Sequence, residues 1–257
     1  MSDLAHDDQV ERSAAVAWPA GRSETVAGWL LRHTPGVARQ RSNSALPPAP
    51  ELHPERTLDA VEAFYRAAGL PALVQVSPAE RHPALDAALA ARGYRRRAPT
   101  LVLTGSAADI VTRTAAVTPR AAVAIDAAAG DAWLAAYQAL NGPADTSPVA
   151  EQVLARVPSP AGFARVEEGG RDVAIGLFVA TGEWAGVFCM ATDSAYRRRG
   201  LALAVLGAGA RWAAARGCAG LYLQVERGNN AARYLYARAG FTHSHSYHYR
   251  VADFHGS

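Results

Sequence analysis

Residues 186–241 read GVFCMATDSAYRRRGLALAVLGAGARWAAARGCAGLYLQVERGNNAARYLYARAGF, and the fold turns on this stretch. Val187 to Ala191 is an apolar run long enough for a strand covered on both faces. A polar turn then leads into Arg197-Arg198-Arg199-Gly200-Leu201-Ala202. Leu201, Val205, Ala208, Trp212 and Ala215 recur at steps of four and three, the apolar stripe of one helix. Cys218-Ala219-Gly220 leads into a second strand, Leu221 to Glu226. Asn229 opens another helix and Gly240 stops it. The order is strand, basic glycine loop, helix, strand, helix.

The loop has a chemical meaning. A glycine at the mouth of a helix lets backbone approach an anion closely, and the free N–H groups and positive dipole end of the helix bind it. Arginines around such a loop suit a polyphosphate, because guanidinium forks match phosphate oxygens.

In this context the stretch resembles the GNAT superfamily of acyl-CoA N-acyltransferases. Arg197-x-x-Gly200-x-Ala202 is similar to the pyrophosphate signature of that family, Arg/Gln-x-x-Gly-x-Gly/Ala after a central strand. Asn229, Leu235-Tyr236 and Gly240-Phe241 are similar to its second signature. Thr192-Asp193-Ser194 departs from the Val-x-Pro usual before the loop. The resemblance implies an α/β fold with a mixed sheet and acetyl-CoA as acyl donor. It also implies that Arg197, Arg198, Arg199, Gly200, Leu201 and Ala202 meet the pyrophosphate. Backbone at Met190, Ala191 and Thr192 would pair with the pantetheine arm, and Tyr236 would protonate the departing thiolate.

Composition bounds the rest. At 257 residues, half of them apolar, the chain can bury one large core or two small ones. No apolar run reaches the length of a membrane span, and the N-terminus is acidic and polar rather than signal-like. Cys189 and Cys218 sit in apolar elements and read as reduced core thiols, so a cytoplasmic location is expected. All 26 basic residues are arginine. Without lysine there is no Schiff base, no covalent pyridoxal phosphate site and no Walker-type loop. A net charge of +3 does not by itself indicate nucleic acid, and it suits an anionic cofactor equally.

Residues 1–15 read as disordered. Val26 to Arg32 and Val37 to Ser44 read as short strands around Thr34-Pro35-Gly36. A helix carrying Leu58, Val61, Tyr65 and Ala68 ends at Gly69. Leu73 to Val76 is a strand, Ala84 to Ala91 a helix, and Leu101 to Leu103 a strand. This part echoes the later one: helix, Gly, strand, helix, Gly-aromatic occurs over Gly69–Gly93 and again over Gly217–Gly240. The chain is therefore expected to hold tandem GNAT-like halves, 16–115 degenerate and 118–257 catalytic. The first half would shape the substrate pocket and bind no CoA. Arg120 to Asp126 is expected as a strand, Asp131 to Leu140 and Val149 to Arg156 as helices around the turn Asn141-Gly142-Pro143. Phe163 to Glu167 and Val173 to Ala180 read as a hairpin, and Phe241 to Val251 as the last strands.

Tyr236 is either the general acid or a core aromatic beside Ala232, Leu235 and Ala239. An amine nucleophile also needs a base. Glu226, at the carboxyl end of its strand where open sheets place ligands, is the first candidate. Asp193, Glu183 and a water chain are the alternatives. Asn229 could contact CoA or cap its helix. Arg41 and Asn43, in Arg39-Gln-Arg41-Ser-Asn43-Ser44, could hold a substrate carboxylate. That segment and Tyr247-His-Tyr-Arg250 resemble motifs of the N-acetylglutamate synthase-like GNAT subgroup; a solvated hairpin is the other reading. His243, His245 and His248 do not share one strand face and have no accompanying acid or cysteine cluster, so no metal site is expected.

The expected activity is direct attack of a primary amine on acetyl-CoA in a ternary complex. The acceptor would be a small molecule, such as glutamate or an antibiotic-like amine, with a protein N-terminus also possible. Two alternatives remain open: aminoacyl transfer from tRNA gripped by Arg95–Arg97 and Arg197–Arg199, and a non-catalytic CoA sensor. No membrane partner is expected, nucleic acid only as that tRNA, and the chain is a monomer or homodimer.

Overall fold

The structure is a computed structural model that describes residues 3–115, 122–141 and 152–252. The boundary near 118, the strand start at Arg120, the turn at Gly142-Pro143 and the start of the 149–156 helix lie outside the described residues. The chain divides into two units. One takes residues up to Asp8, Ala20–Leu101 and the chain from His245 onward; the other takes Gln9–Pro19 and Val102–Ser244.

Asp3–Ala17 is a helix (α1), not a disordered segment. Val10, Ala14 and Ala17, spaced by four and three, are buried in the second unit, which gives the helix the apolar stripe that its low overall hydropathy conceals. In the first unit, Arg22–Val26 (β1) and Trp29–His33 (β2) form the hairpin, turning at Ala27-Gly28. The expected hairpin around Thr34-Pro35-Gly36 is absent. Gln40–Asn43 is instead a 3-10 turn, and the Asn43 amide ties it down. Its oxygen accepts from the Thr34 N–H at 2.8 Å, and its nitrogen donates to the carbonyls of Val37 and Arg39 at 2.6 and 3.0 Å. Local side-chain bonds of this kind give the backbone an alternative to a ladder.

The rest of the first unit follows the pattern of the sequence. Leu58–Ala67 (α2), Leu73–Val76 (β3) and Pro83–Ala91 (α3) come in the expected order. Trp29, Leu58, Tyr65, Val74, Leu85 and Leu89 are all buried in their shared core. Arg95–Ser106 (β4) is longer than expected, and Thr242–Val251 (β10) is one strand, antiparallel to β3 with His248 opposite Val76. Each of these two long strands begins in one unit and ends in the other.

In the second unit β4 is followed by Ala107–Ala115 (α4), a helix the sequence reading omits. Ala107, Ile110 and Thr114 are its buried stripe. Then come Val123–Asp126 (β5), Asp131–Asn141 (α5), Ala161–Glu168 (β6), Arg171–Thr181 (β7) and Trp184–Thr192 (β8). Leu201–Ala214 (α6), Gly220–Glu226 (β9) and Asn230–Ala239 (α7) complete it. The described end of the 149–156 segment is a 3-10 turn, Leu154–Arg156. Neighbouring strands of this unit run β4-β9-β8-β7-β6-β5. The β5–β8 ladders are antiparallel and β8–β9 is parallel, so the sheet is mixed. Helix α6 lies against the sheet so closely that a Cβ at Gly209 would overlap the Phe178 ring. No helix among the described residues is long and apolar enough to cross a membrane.

Candidate active site

β8 and β9 pair from Trp184↔Gly220 to Val187↔Leu223, and there the ladder stops. Both strands continue, β8 to Thr192 and β9 to Glu226. On its other side β8 stays with β7. Leu177 pairs with Phe188 and Ile175 with Ala191, so Cys189 and Met190 together face the single residue Gly176. Cys189 takes a left-handed φ of 52°. A bulge of this type bends its own strand and increases its twist. β8 therefore leaves β9 at the level where the ladder ends, and a gap opens between the carboxyl ends of two parallel strands. Ala185 to Phe188 are buried, whereas Cys189 to Thr192 become half-buried. Met190, Ala191 and Thr192 lie on the part of β8 that continues beyond the ladder to β9.

The loop between β8 and α6 follows directly on the end of β8. Asp193 caps a 3-10 turn, Ser194–Tyr196, by accepting from the Ala195 N–H at 2.9 Å. Arg198 and Gly200 both have positive φ, 64° and 82°. Gly200 is the N-cap of α6 and supplies no side chain to cap it. The first helical bond runs from the Ala204 N–H to the Gly200 carbonyl at 3.0 Å. The N–H groups of Leu201, Ala202 and Leu203 therefore have no partner within the helix. An uncapped, 14-residue helix preceded by three arginines presents the free N–H groups and positive dipole end that suit an anion.

The three arginines differ. Arg197 Nε donates to the Thr192 carbonyl at 3.4 Å. Arg199 lies 4.7 Å from the Tyr196 ring centroid, donates to the Ala195 carbonyl at 3.2 Å and faces Glu168 at 3.7 Å. Arg198 has no side-chain partner among the described residues.

Tyr236 sits in the second turn of α7, buried, with its ring edge-on to Phe241 at 5.9 Å. Its hydroxyl bonds to no described residue, and burial alone pushes it up to about 12. It is thus a packed aromatic whose hydroxyl has no partner among the described residues. Asn229 takes the capping role of its two readings. Its oxygen caps α7 by accepting from the Ala232 N–H at 3.1 Å, and its nitrogen bonds to no described residue.

Among the candidate bases, Glu226 ends β9 in the gap region, exposed and with no ion pair among the described residues. Asp193 is occupied: its second oxygen accepts from Arg171 at 3.1 Å. Glu183 lies in the turn before Trp184, at the opposite end of β8, and is removed from the set of candidates by that placement.

Arg41 and Asn43 belong to the other unit. Asn43 spends its amide on the 34–43 turn as described above, and Arg41 is half-buried near Tyr249. His245 lies against Asp7 at 3.1 Å and His248 against Asp86 at 2.6 Å. No group of three or more His, Cys, Asp or Glu among the described residues is placed to hold a metal ion. Sequence reasoning missed Glu168, Arg171 and Tyr196. The first two lie more than twenty residues from the loop they touch, and only the hairpin signal at Gly169-Gly170 marks their place.

Residues 6–250 match the family described as probable histone acetyltransferase Rv0428c C-terminal. The chain is similar to the uncharacterized N-acetyltransferase YobR of Bacillus subtilis (strain 168). The two are 27% identical over 244 residues, which cover 95% of this chain and 97% of the relative. Among solved structures it resembles a GCN5-related N-acetyltransferase from Kribbella flavida. The TM-score is 0.67 at 17% identity, covering all of this chain and 96% of the other. It also resembles a tandem GNAT protein from the clavulanic acid biosynthesis pathway. There the TM-score is 0.59 at 14% identity, over 89% of this chain and 74% of that one.

Proposed function

Because the chain belongs to the family described as probable histone acetyltransferase Rv0428c C-terminal, and is thereby a GNAT-type N-acetyltransferase, we propose that it binds acetyl-CoA in the gap between β8 and β9. We further propose that it passes the acetyl group to the primary amine of a small molecule. The observation that carries this reading is the parting of the parallel ladder after Val187 and Leu223, beside the uncapped mouth of α6.

The donor supplies an activated thioester carbonyl. Backbone of Met190, Ala191 and Thr192 offers it a strand edge. The N–H groups of Leu201, Ala202 and Leu203 receive the pyrophosphate, with Arg198 reaching it from the rim. The amine nitrogen attacks the carbonyl carbon and the carbon–sulfur bond breaks. Glu226, directly or through water, accepts the proton that the amine sheds.

Tyr236 faces the leaving sulfur. A thiol has a pKa of about 8.5, so a phenol near 12 does not protonate a free thiolate outright. It remains protonated at neutral pH and donates a hydrogen bond that strengthens as charge builds on sulfur. Any proton it passes to the sulfur is replaced from solvent, and the proton that Glu226 takes from the amine is released to solvent, so the transfer balances.

Calorimetric titration with acetyl-CoA tests the reading. One-to-one binding is expected, abolished in Gly200→Glu, where a carboxylate would sit at the anion site on a left-handed residue. Thiol release across small amines, amino acids and a basic peptide then identifies the acceptor. A folded protein that binds no acetyl-CoA would overturn the proposal.

A further inference from the structure

The phosphate loop is held from outside by a hairpin the family signature does not include. Tyr196 has an arginine on it twice over: the Arg199 guanidinium carbon is 4.7 Å from the ring centroid and the Arg171 carbon 5.7 Å. Each arginine is also anchored to an acid of the other element. Arg171, on β7, donates to Asp193 in the loop at 3.1 Å. Arg199, in the loop, faces Glu168 at the end of β6 at 3.7 Å. Asp193 in turn caps the 3-10 turn on which Tyr196 stands. The contacts therefore close a ring: Arg171 to Asp193, through the turn to Tyr196, across its face to Arg199, and back to the hairpin at Glu168.

Resting on the acetyl-CoA reading above, we propose that Tyr196, with Arg171 and Glu168, is a positioning element for donor binding. Arg199 serves this ring and not the phosphate, and Arg198 is the arginine that meets the donor. Three arginines in a row would otherwise repel one another and disperse. Charges of like sign must be held apart if the backbone between them is to keep its N–H groups aimed at one point. Single exposed ion pairs contribute little. The arrangement gains from linking two of them through a stacked ring, each fixing the geometry of the next.

The ring stacking offers a test that leaves net charge unchanged. Tyr196→Leu removes the aromatic face, and Tyr196→Phe keeps it. Acetyl-CoA affinity is measured by calorimetry for wild type and both variants. Amide hydrogen exchange over residues 193–201 is followed in parallel, and thermal midpoints check the fold. Leu should raise Kd about three- to tenfold and speed exchange in the loop, with Phe restoring both to wild-type values. Arg198→Ala should weaken binding and flatten its salt dependence, while Arg199→Ala weakens it and leaves that dependence as in Tyr196→Leu. Equal affinity of wild type and Tyr196→Leu would overturn this inference while leaving acetyl-CoA binding intact. So would a Phe variant as weak as Leu. A wild-type protein that binds no acetyl-CoA would overturn the functional reading and this one with it.

Discussion

At the residue scale the assignment of Tyr236 can be weighed against the packing role it also plays. The ring touches Phe241, and Phe at position 236 would keep that contact. Tyr236→Phe should therefore leave acetyl-CoA affinity within about twofold and lower turnover by about 10²-fold, the scale of one well-placed proton donor. A turnover near wild type would assign the residue to packing alone. The sequence marks Tyr236, Asn229 and Gly200 because the helix position, the cap and the left-handed turn found there depend on a few local neighbours. It could not mark the way Asn43 is used. Its three bonds go to Thr34, Val37 and Arg39, and nothing in Arg-Ser-Asn-Ser tells whether an amide points outward to a ligand or inward to its own turn.

At the element scale the close seat of α6 on the sheet decides where its mouth points. Gly207 and Gly209 lower helix propensity by about 1 kcal/mol each, yet they let the helix approach Thr114 and Phe178. Gly209→Ala should destabilise the protein by about 1–3 kcal/mol through overpacking. Gly130→Ala, with nothing within 4 Å of the added carbon, should not. Denaturant midpoints compare the two, and a neutral Gly209→Ala would show that the helix can lift off the sheet. The helix α6 was legible in the sequence, as were β3, β9 and the Gly169-Gly170 hairpin. Its buried face is wider than the expected stripe: every residue from Leu203 to Ala210 is buried, whereas Trp212 is half-buried and Ala215 lies exposed past the helix end. The helices α1 and α4 were not legible. Their stripes are only three residues long: α1 buries Val10, Ala14 and Ala17, and α4 buries Ala107, Ile110 and Thr114, so each offers a single strongly apolar residue to a periodicity argument.

At the scale of the whole chain the duplication is visible in both sequence and structure. Gly69 and Gly93 bracket β3 and α3 as Gly217 and Gly240 bracket β9 and α7, all four with φ between 68° and 102°. Tyr94 and Phe241 follow as buried aromatics. What the repeat hides is that the units exchange chain: β10 begins in the second and ends in the first. There it carries His248 and Arg250 to Asp86. The bonds from Arg250, then His248, hold the Asp86 carboxyl at about 2, below its ordinary 3.8. Burial lowers His248 and His82 below 6.5. All three bind fewer protons folded than unfolded, so each stabilises at high pH. Stability should be level from pH ~6.5 to about 9 and fall above about 10, where the raised tyrosines such as Tyr236 ionise more readily unfolded. It should also decline as pH falls through the histidine range, and decline again from about pH 4 toward 2. Denaturant midpoints against pH would show it, and a midpoint rising between pH 7 and 5 would contradict it. The exchange also sets a clock on synthesis. β3 ends at Val76 and its partner strand ends at Val251, 175 residues later (251 − 76). At roughly 5–20 residues per second, the ribosome needs about 9–35 s to deliver the strand that covers that edge. During this interval a nascent chain already carrying α2, β3 and α3 remains open to chaperones and to neighbouring chains.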